Sequence, residues 1–297
     1  MGRESNVFQA SLLHLIRENE PLAPHTWLRI GGEARFYSEP TEEASLIAMV
    51  QDCHRTNLPV RILGGGSNVL VRSEGFDGLV LNLSAPSFCN LSVQGNSIRC
   101  GGGTKLSHLV SHSVGAGLGG LEHLVGIPGT VGGALFGNAS TSNGDIGQRV
   151  TSVRLLTRQG QVITKKKSEI QFSHHKSSLD ELVILDATFD LEPADTKALM
   201  QRMQTLWIVK RSNQPTIQTA AVVPFVEPDA SSAAELIELA GMRGAVEGNV
   251  HLSATHPNFL ISTPGATSQQ VLALIYRVRD AVQERTGVTL RLHLTIW

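Results

Sequence analysis

Cysteine, aromatic side chains and charge are all scarce in this chain of 297 residues. The three cysteines, Cys53, Cys89 and Cys100, are odd in number and show no CxxC spacing. That argues against a disulfide framework or a zinc cluster, and predicts a reducing compartment and no metal site. Charged residues make up 17% and the formal net charge is −1, so no basic face is expected to meet nucleic acid. The one basic run, Lys165-Lys166-Lys167, reads as a solvated hairpin end. No stretch approaches the roughly 18 continuous apolar residues of a membrane span. The N-terminus lacks the apolar run of a signal peptide, so a soluble, cytoplasmic protein is expected. The sequons at Asn82, Asn90 and Asn138 then carry no meaning.

Acid is scarce in a more local way. Between Asp77 and Asp145 the only carboxylate is Glu122, and 20 of the 29 glycines fall between Gly64 and Gly147. Bare main-chain N–H groups without carboxylates suit a surface that meets an anion. Tight turns between short strands explain the composition equally well.

The hydrophobic pattern alternates between helix-like and strand-like runs. A first helix is expected over Phe8 to Ile16, and a second, capped by Thr41, to about His54. Short strands follow at Val60–Leu63, Val69–Val71 and Leu79–Leu81. Leu106 to Val114 predicts a helix stopped by Gly115. Val153–Leu156 and Val162–Thr164 flank Gln159-Gly160 as a hairpin, and Leu182–Leu191 reads as a strand. A long helix is expected over Asp195–Arg211, with a domain boundary near Gln214-Pro215. Beyond it, Ser232 and Glu235 form a capping box, Asn258–Ser262 is strand-like, Ser268 opens a helix that stops at Gly287, and Val288–Trp297 closes the chain as a strand.

Gly115-Ala-Gly-Leu-Gly-Gly120 matches the dinucleotide string GxGxxG. It follows a helix rather than a strand, and Gly126-Ile127-Pro128 prevents a long helix after it, so a Rossmann site is not expected. Two other loops carry more weight. Leu63-Gly64-Gly65-Gly66-Ser67-Asn68 lies between two short strands, where three glycines let the main chain turn with its N–H groups to one side. Ser67 and Asn68 add side-chain donors, which makes a phosphate cradle. In Gly126-Ile127-Pro128-Gly129-Thr130-Val131-Gly132-Gly133-Ala134, Pro128 stiffens a turn and the glycines admit a flat ligand or its diphosphate. Asn138 follows as an amide contact.

Together with Thr26-Trp-Leu-Arg29-Ile-Gly31-Gly32, these loops strongly resemble the UDP-N-acetylenolpyruvoylglucosamine reductase family, from about His25 to the C-terminus and in its compact form. The resemblance implies an α+β fold. Its parts would be an N-terminal helix over 1–24, an FAD-binding region of two subdomains (the glycine-loop, PCMH-like type) over 25–195, and a smaller C-terminal α+β substrate domain over 212–297. It implies non-covalent FAD, NADPH as reductant, a nucleotide-sugar substrate and a role in peptidoglycan precursor synthesis; the oligomeric state is left open.

The catalytic positions depart from the family. The proton-donor Ser lies in a string matched here by Val222-Val223-Pro224-Phe225-Val226-Glu227-Pro228, which puts Val223 at the Ser and Val226 at a Lys. His175, in His174-His175-Lys176-Ser177, takes the place of an Arg that steadies developing charge. His293 takes the place of a Glu in the last strand. Valine holds no exchangeable proton. The changes leave two readings: a reductase in which His175 and His293 replace the lost groups, or a paralogue that keeps FAD without turnover. His256 and Asn258 are expected to order a loop. An FAD oxidase of a related scaffold would call for a covalent flavin His or Cys at the glycine loop, and none is evident.

Overall fold

The computed structural model describes residues 7–215, 220–228 and 231–297, and divides them into two compact units. The first takes the chain through Glu20, then Arg35–Gly65 and Asp77–Ile208; the second takes Pro21–Ala34, Gly66–Phe76 and Val209–Trp297.

The first unit contains two sheets, each with its own core. The smaller sheet runs in the order Ile16–Pro21, Glu33–Ser38, Phe76–Leu81, Val60–Ile62. Helix α1 (Glu43–Thr56) presents Leu46, Met49, Val50 and Cys53, spaced by three and four residues, to a core with Phe36, Leu79 and Leu81. It ends at Asn57, which adopts the left-handed conformation at φ 55°. Val60–Ile62 pairs parallel with Leu79–Leu81, so the chain leaves the carboxyl end of that strand directly into the Gly64 loop.

The larger sheet is antiparallel, in the order Val162–Lys166, Val150–Leu156, Val183–Asp190, Ser97–Gly101, Leu91–Gln94. Helices α2 (Leu106–Gly115) and α3 (Val131–Phe136) contribute to its core through Leu106, Leu109, Val110, Val131, Ala134 and Leu135. Helix α4 (Thr196–Ser212) follows.

The second unit is built on an antiparallel sheet of Ala221–Val222, Leu260–Ser262, Val250–Leu252 and Val246–Glu247. Helices α5 (Ala233–Leu239) and α6 (Ser268–Thr286) bury Leu236, Ile237, Val271, Leu274, Ile275, Val278 and Val282 in the same core. Leu28, Ile30 and Leu70 join it, and Thr295–Ile296 pairs parallel with Val69–Leu70. Two segments from early in the chain thus group with the C-terminal residues, where the sequence suggested contiguous domains. Hydrophobic pattern marks each of them as apolar but not which core receives it.

Several local expectations need correction. The N-terminal helix is a short 3-10 turn, Ala10–Leu15, followed by the strand Ile16–Pro21; only Leu12 of the turn is buried, too narrow a stripe to seat a helix. Glu42, not Thr41, occupies the cap of α1. Ser232 is the cap residue of α5, but the N–H of Ala233 is satisfied by Glu227 Oε2 at 2.7 Å. The expected last strand is reduced to Thr295–Ile296. The Lys165–Lys167 run is not simply solvated: Lys165 pairs with Glu181, and Lys167 donates to Gly147 O and lies over the Phe172 ring. Among the described residues no helix is long and apolar enough to cross a membrane.

Asn258 holds the second unit's sheet to the chain after Val222. Its Nδ2 donates to Phe225 O at 2.9 Å and to Glu227 Oε1 at 3.0 Å, and its Oδ1 accepts from Phe225 N. Because the side chain is buried, Asn258→Ala strands the Phe225 main-chain groups. The expected loss is about 2–4 kcal/mol, measured by urea unfolding of the whole chain.

Candidate functional site: a glycine-lined cradle

In the first unit the two glycine loops meet main chain to main chain. A Cβ built on Gly65 would lie 2.9 Å from Gly129 Cα, and one on Gly64 would lie 2.7 Å from Thr130 Oγ1. Gly129 itself has φ 106°, outside the range of ordinary side-chain-bearing residues. No side chain larger than hydrogen therefore permits this approach. Gly129 O accepts from Leu106 N, and Val131 N donates to Thr104 O, so the loop is held in place from the α2 side. Among the described residues, the N–H groups of Gly64, Gly65, Gly129 and Thr130 donate no hydrogen bond within the chain.

The charge around these loops fits an anion. Glu122, the single acid of the stretch, is buried, accepts from Gly120 N at 2.6 Å and pairs with Arg202 at 3.0 Å. Burial raises its pKa, but the Gly120 N–H and Arg202 outweigh burial and hold it below the usual carboxylate value. Between Asp77 and Asp145 no carboxylate is therefore left without a partner. Bare, uncommitted amides and neutralised acid are what an FAD diphosphate requires.

Other expected contacts have different partners. Asn138 adopts φ 43° and is buried; its Nδ2 donates to Ser173 O at 2.8 Å and its Oδ1 accepts from Gly147 N at 3.2 Å. The amide contact read from the sequence is thus committed within the protein. Gly132 donates to Gly102 O, which a Cβ at Gly132 would meet tightly at 3.0 Å, and Gly133 N donates to Thr130 Oγ1. Ile127 packs on the large core, and Gly126 turns the chain at φ 75° beside the exposed Pro128.

The division between the units falls within the first loop: Gly66, Ser67 and Asn68 belong to the second. Gly66 (φ 64°) lies against His25 O, and Asn68 Nδ2 donates to His293 O at 2.8 Å. Asn68 therefore anchors the last segment, a role the reading of it as a phosphate donor missed.

The second unit brings Val223 and His293 together. His293 N donates to Pro224 O at 2.8 Å, and its Nδ1 lies 3.3 Å from Val223 O. Burial lowers the imidazole pKa below its ordinary 6.5, with Arg291 adding to the effect and the Val223 carbonyl opposing it. His175 belongs to the first unit, at φ 53° in the two-residue turn between Phe172–Ser173 and Lys176–Ser177, its ring 4.4 Å from that of His174.

The cradle, the two-sheet first unit and the separate C-terminal unit define an FAD-binding α+β protein of the PCMH-like type. A family model described as an FAD binding domain matches residues 34–165, and one for the UDP-N-acetylenolpyruvoylglucosamine reductase C-terminal domain matches 214–297. A reductase of that name from Rhodopirellula baltica is 46% identical over 99% of this chain and 96% of its own length. A second, from Symbiobacterium thermophilum, is 37% identical over 95% of this chain and 92% of its own. The crystal structure of the Thermus caldophilus enzyme superposes with a TM-score of 0.80 at 30% identity, covering 95% of this chain and 98% of that one. The chain belongs to the UDP-N-acetylenolpyruvoylglucosamine reductase family.

Gly65→Val places side-chain atoms in the Gly129 backbone. The expected result is a folded protein whose FAD affinity falls by about 100-fold or more, read by the flavin-to-protein absorbance ratio after dialysis. A second expectation concerns acid. Burial depresses the pKa of His123 as well as that of His293 from 6.5. The unfolded chain then binds protons that the folded chain refuses, so stability is full above about pH 6.5 and is lost as the pH falls toward the depressed folded-state values. Melting temperature followed against pH should show this slope, and His123→Leu should flatten it.

Proposed function

We propose that this chain is a flavin-dependent reductase that uses NADPH to reduce UDP-N-acetylglucosamine enolpyruvate to UDP-N-acetylmuramate, a precursor of peptidoglycan. The observation that carries the reading is the contact of Gly64 and Gly65 with Gly129 and Thr130, which leaves four main-chain N–H groups for a diphosphate. The printed activity of relatives aligned along nearly the whole chain supports it.

FAD, when bound, supplies a two-electron carrier between the nicotinamide and the enolpyruvyl double bond. The chain's own contribution is to hold, orient and supply protons. Gly64, Gly65, Gly129 and Thr130 hold the diphosphate. His175, at the family's Arg position, offers developing negative charge one N–H donor when neutral and a full positive charge only as the imidazolium. Val223 has no proton to give, so the acid is His293 or water. With Nδ1–H donated to Val223 O, the His293 Nε2 carries a proton only in the imidazolium, and burial opposes that form near neutral pH. Proton delivery is therefore the weak step, whereas reduction of the flavin needs none of the three positions.

Proton transfer and charge stabilisation each contribute about 10²- to 10⁴-fold in enzymes that retain them. Restoring Val223→Ser together with His175→Arg and His293→Glu should raise NADPH-dependent turnover of the enolpyruvyl substrate by at least about 10²-fold, leaving flavin reduction by NADPH unchanged. Stopped-flow absorbance resolves the two half-reactions. Rapid flavin reduction with no gain in reoxidation by substrate would favour a flavin-holding protein without turnover.

A further inference from the structure

Phe136 is the exception on α3. Val131, Ala134 and Leu135 turn into the large core, whereas Phe136 is 57% exposed. It follows Gly133 by three residues and Gly132 by four, so all three share one face of the helix. A helical side chain leans toward the preceding turn, which directs Phe136 toward the exposed main chain of Gly133 rather than toward another side chain. A Cβ on Gly133 would meet only Thr130 Oγ1, at 3.5 Å, the same hydroxyl that lies against Gly64. The carbonyl of Phe136 accepts from Ser177 Oγ at 2.8 Å, which ties the end of α3 to the hairpin that turns at His174 and His175.

We propose that Phe136 is a cofactor-contact residue that packs against the redox-active ring system of the flavin and fixes its position over the Gly132–Gly133 strip. This rests on the reading that the chain holds FAD. An exposed aromatic ring beside bare main chain accommodates a second flat ring by offset stacking or edge contact, and glycine lets that ring approach the backbone to contact distance. His175 distinguishes which ring of the dinucleotide lies here. Its place in the family pattern is beside the reacting carbon, and it shares the hairpin that is bonded to Phe136.

The test uses the full-length, flavin-loaded protein and its Phe136→Trp and Phe136→Leu variants. An indole in contact with a photoexcited flavin quenches its emission by electron transfer. The Trp variant should therefore show bound-flavin fluorescence lower by about tenfold than the Leu variant, and the Leu variant should bind FAD about 3- to 10-fold more weakly than the parent, the loss of one aromatic contact. Fluorescence in the Trp variant within about twofold of the Leu variant, or parental FAD affinity in the Leu variant, overturns the proposal. If the Trp variant fails to fold, the Leu affinity alone decides. A parent protein that takes up no FAD sinks the cofactor reading itself, whereas a flavin-loaded parent with an unquenched Trp variant sinks only the role of Phe136.

Discussion

The approach of Gly65 to Gly129 is the constraint on which the rest of the site depends. Two loops from distant parts of the first unit touch through their main chains, and any Cβ at Gly65 would occupy the space of the Gly129 backbone. Closure of that contact exposes amides that a strand or helix would have consumed. It also requires rigid supports. The parallel pairing of Val60–Ile62 with Leu79–Leu81 delivers one loop, and the bonds from Leu106 N and Val131 N hold the other. The surrounding acid is removed from play by pairing Glu122 with Arg202 and the Gly120 amide. Cofactor binding is thereby built from geometry rather than from a set of charged side chains, which explains how so neutral a chain can hold a dianion.

The catalytic positions follow a different logic. In the second unit, the main chain places Val223 and His293 side by side, through Pro224 O and Val223 O, and the proposed reading assigns these two positions to the proton-transfer step. Burial works against His293 as a replacement, because it disfavours the imidazolium form that would give up a proton. On the proposed reading, cofactor holding and proton delivery draw on different parts of the chain: the glycine loops for the first, and Val223 and His293 for the second.

Much of this was legible in the sequence, and for physical reasons. The glycine loops stood out because glycine adopts positive φ most readily and alone admits sub-contact approach, so their clustering leaves a compositional trace. The long helices α4 and α6 and the Val150–Leu156 hairpin were legible through periodicity and turn residues. Several misses share a cause: short segments take their structure from distant partners. Ile16–Pro21 is a strand only because a sheet edge receives it, and Val69–Leu70 joins the C-terminal core only because Thr295–Ile296 pairs with it. Asn68 and Asn138 looked like ligand donors in sequence, but their amides serve main-chain carbonyls 225 and 35 residues away. The spacing of Phe136 from Gly133 was visible, but its exposure was not.

The central claim is that main-chain amides grip the diphosphate, so the most direct measurement is a titration of flavin-stripped protein with FAD and with riboflavin, which has the same ring system and no phosphate. The account predicts FAD binding tighter by at least about 10³-fold, the contribution of several charge-assisted hydrogen bonds. Equal affinity for the two ligands would contradict it.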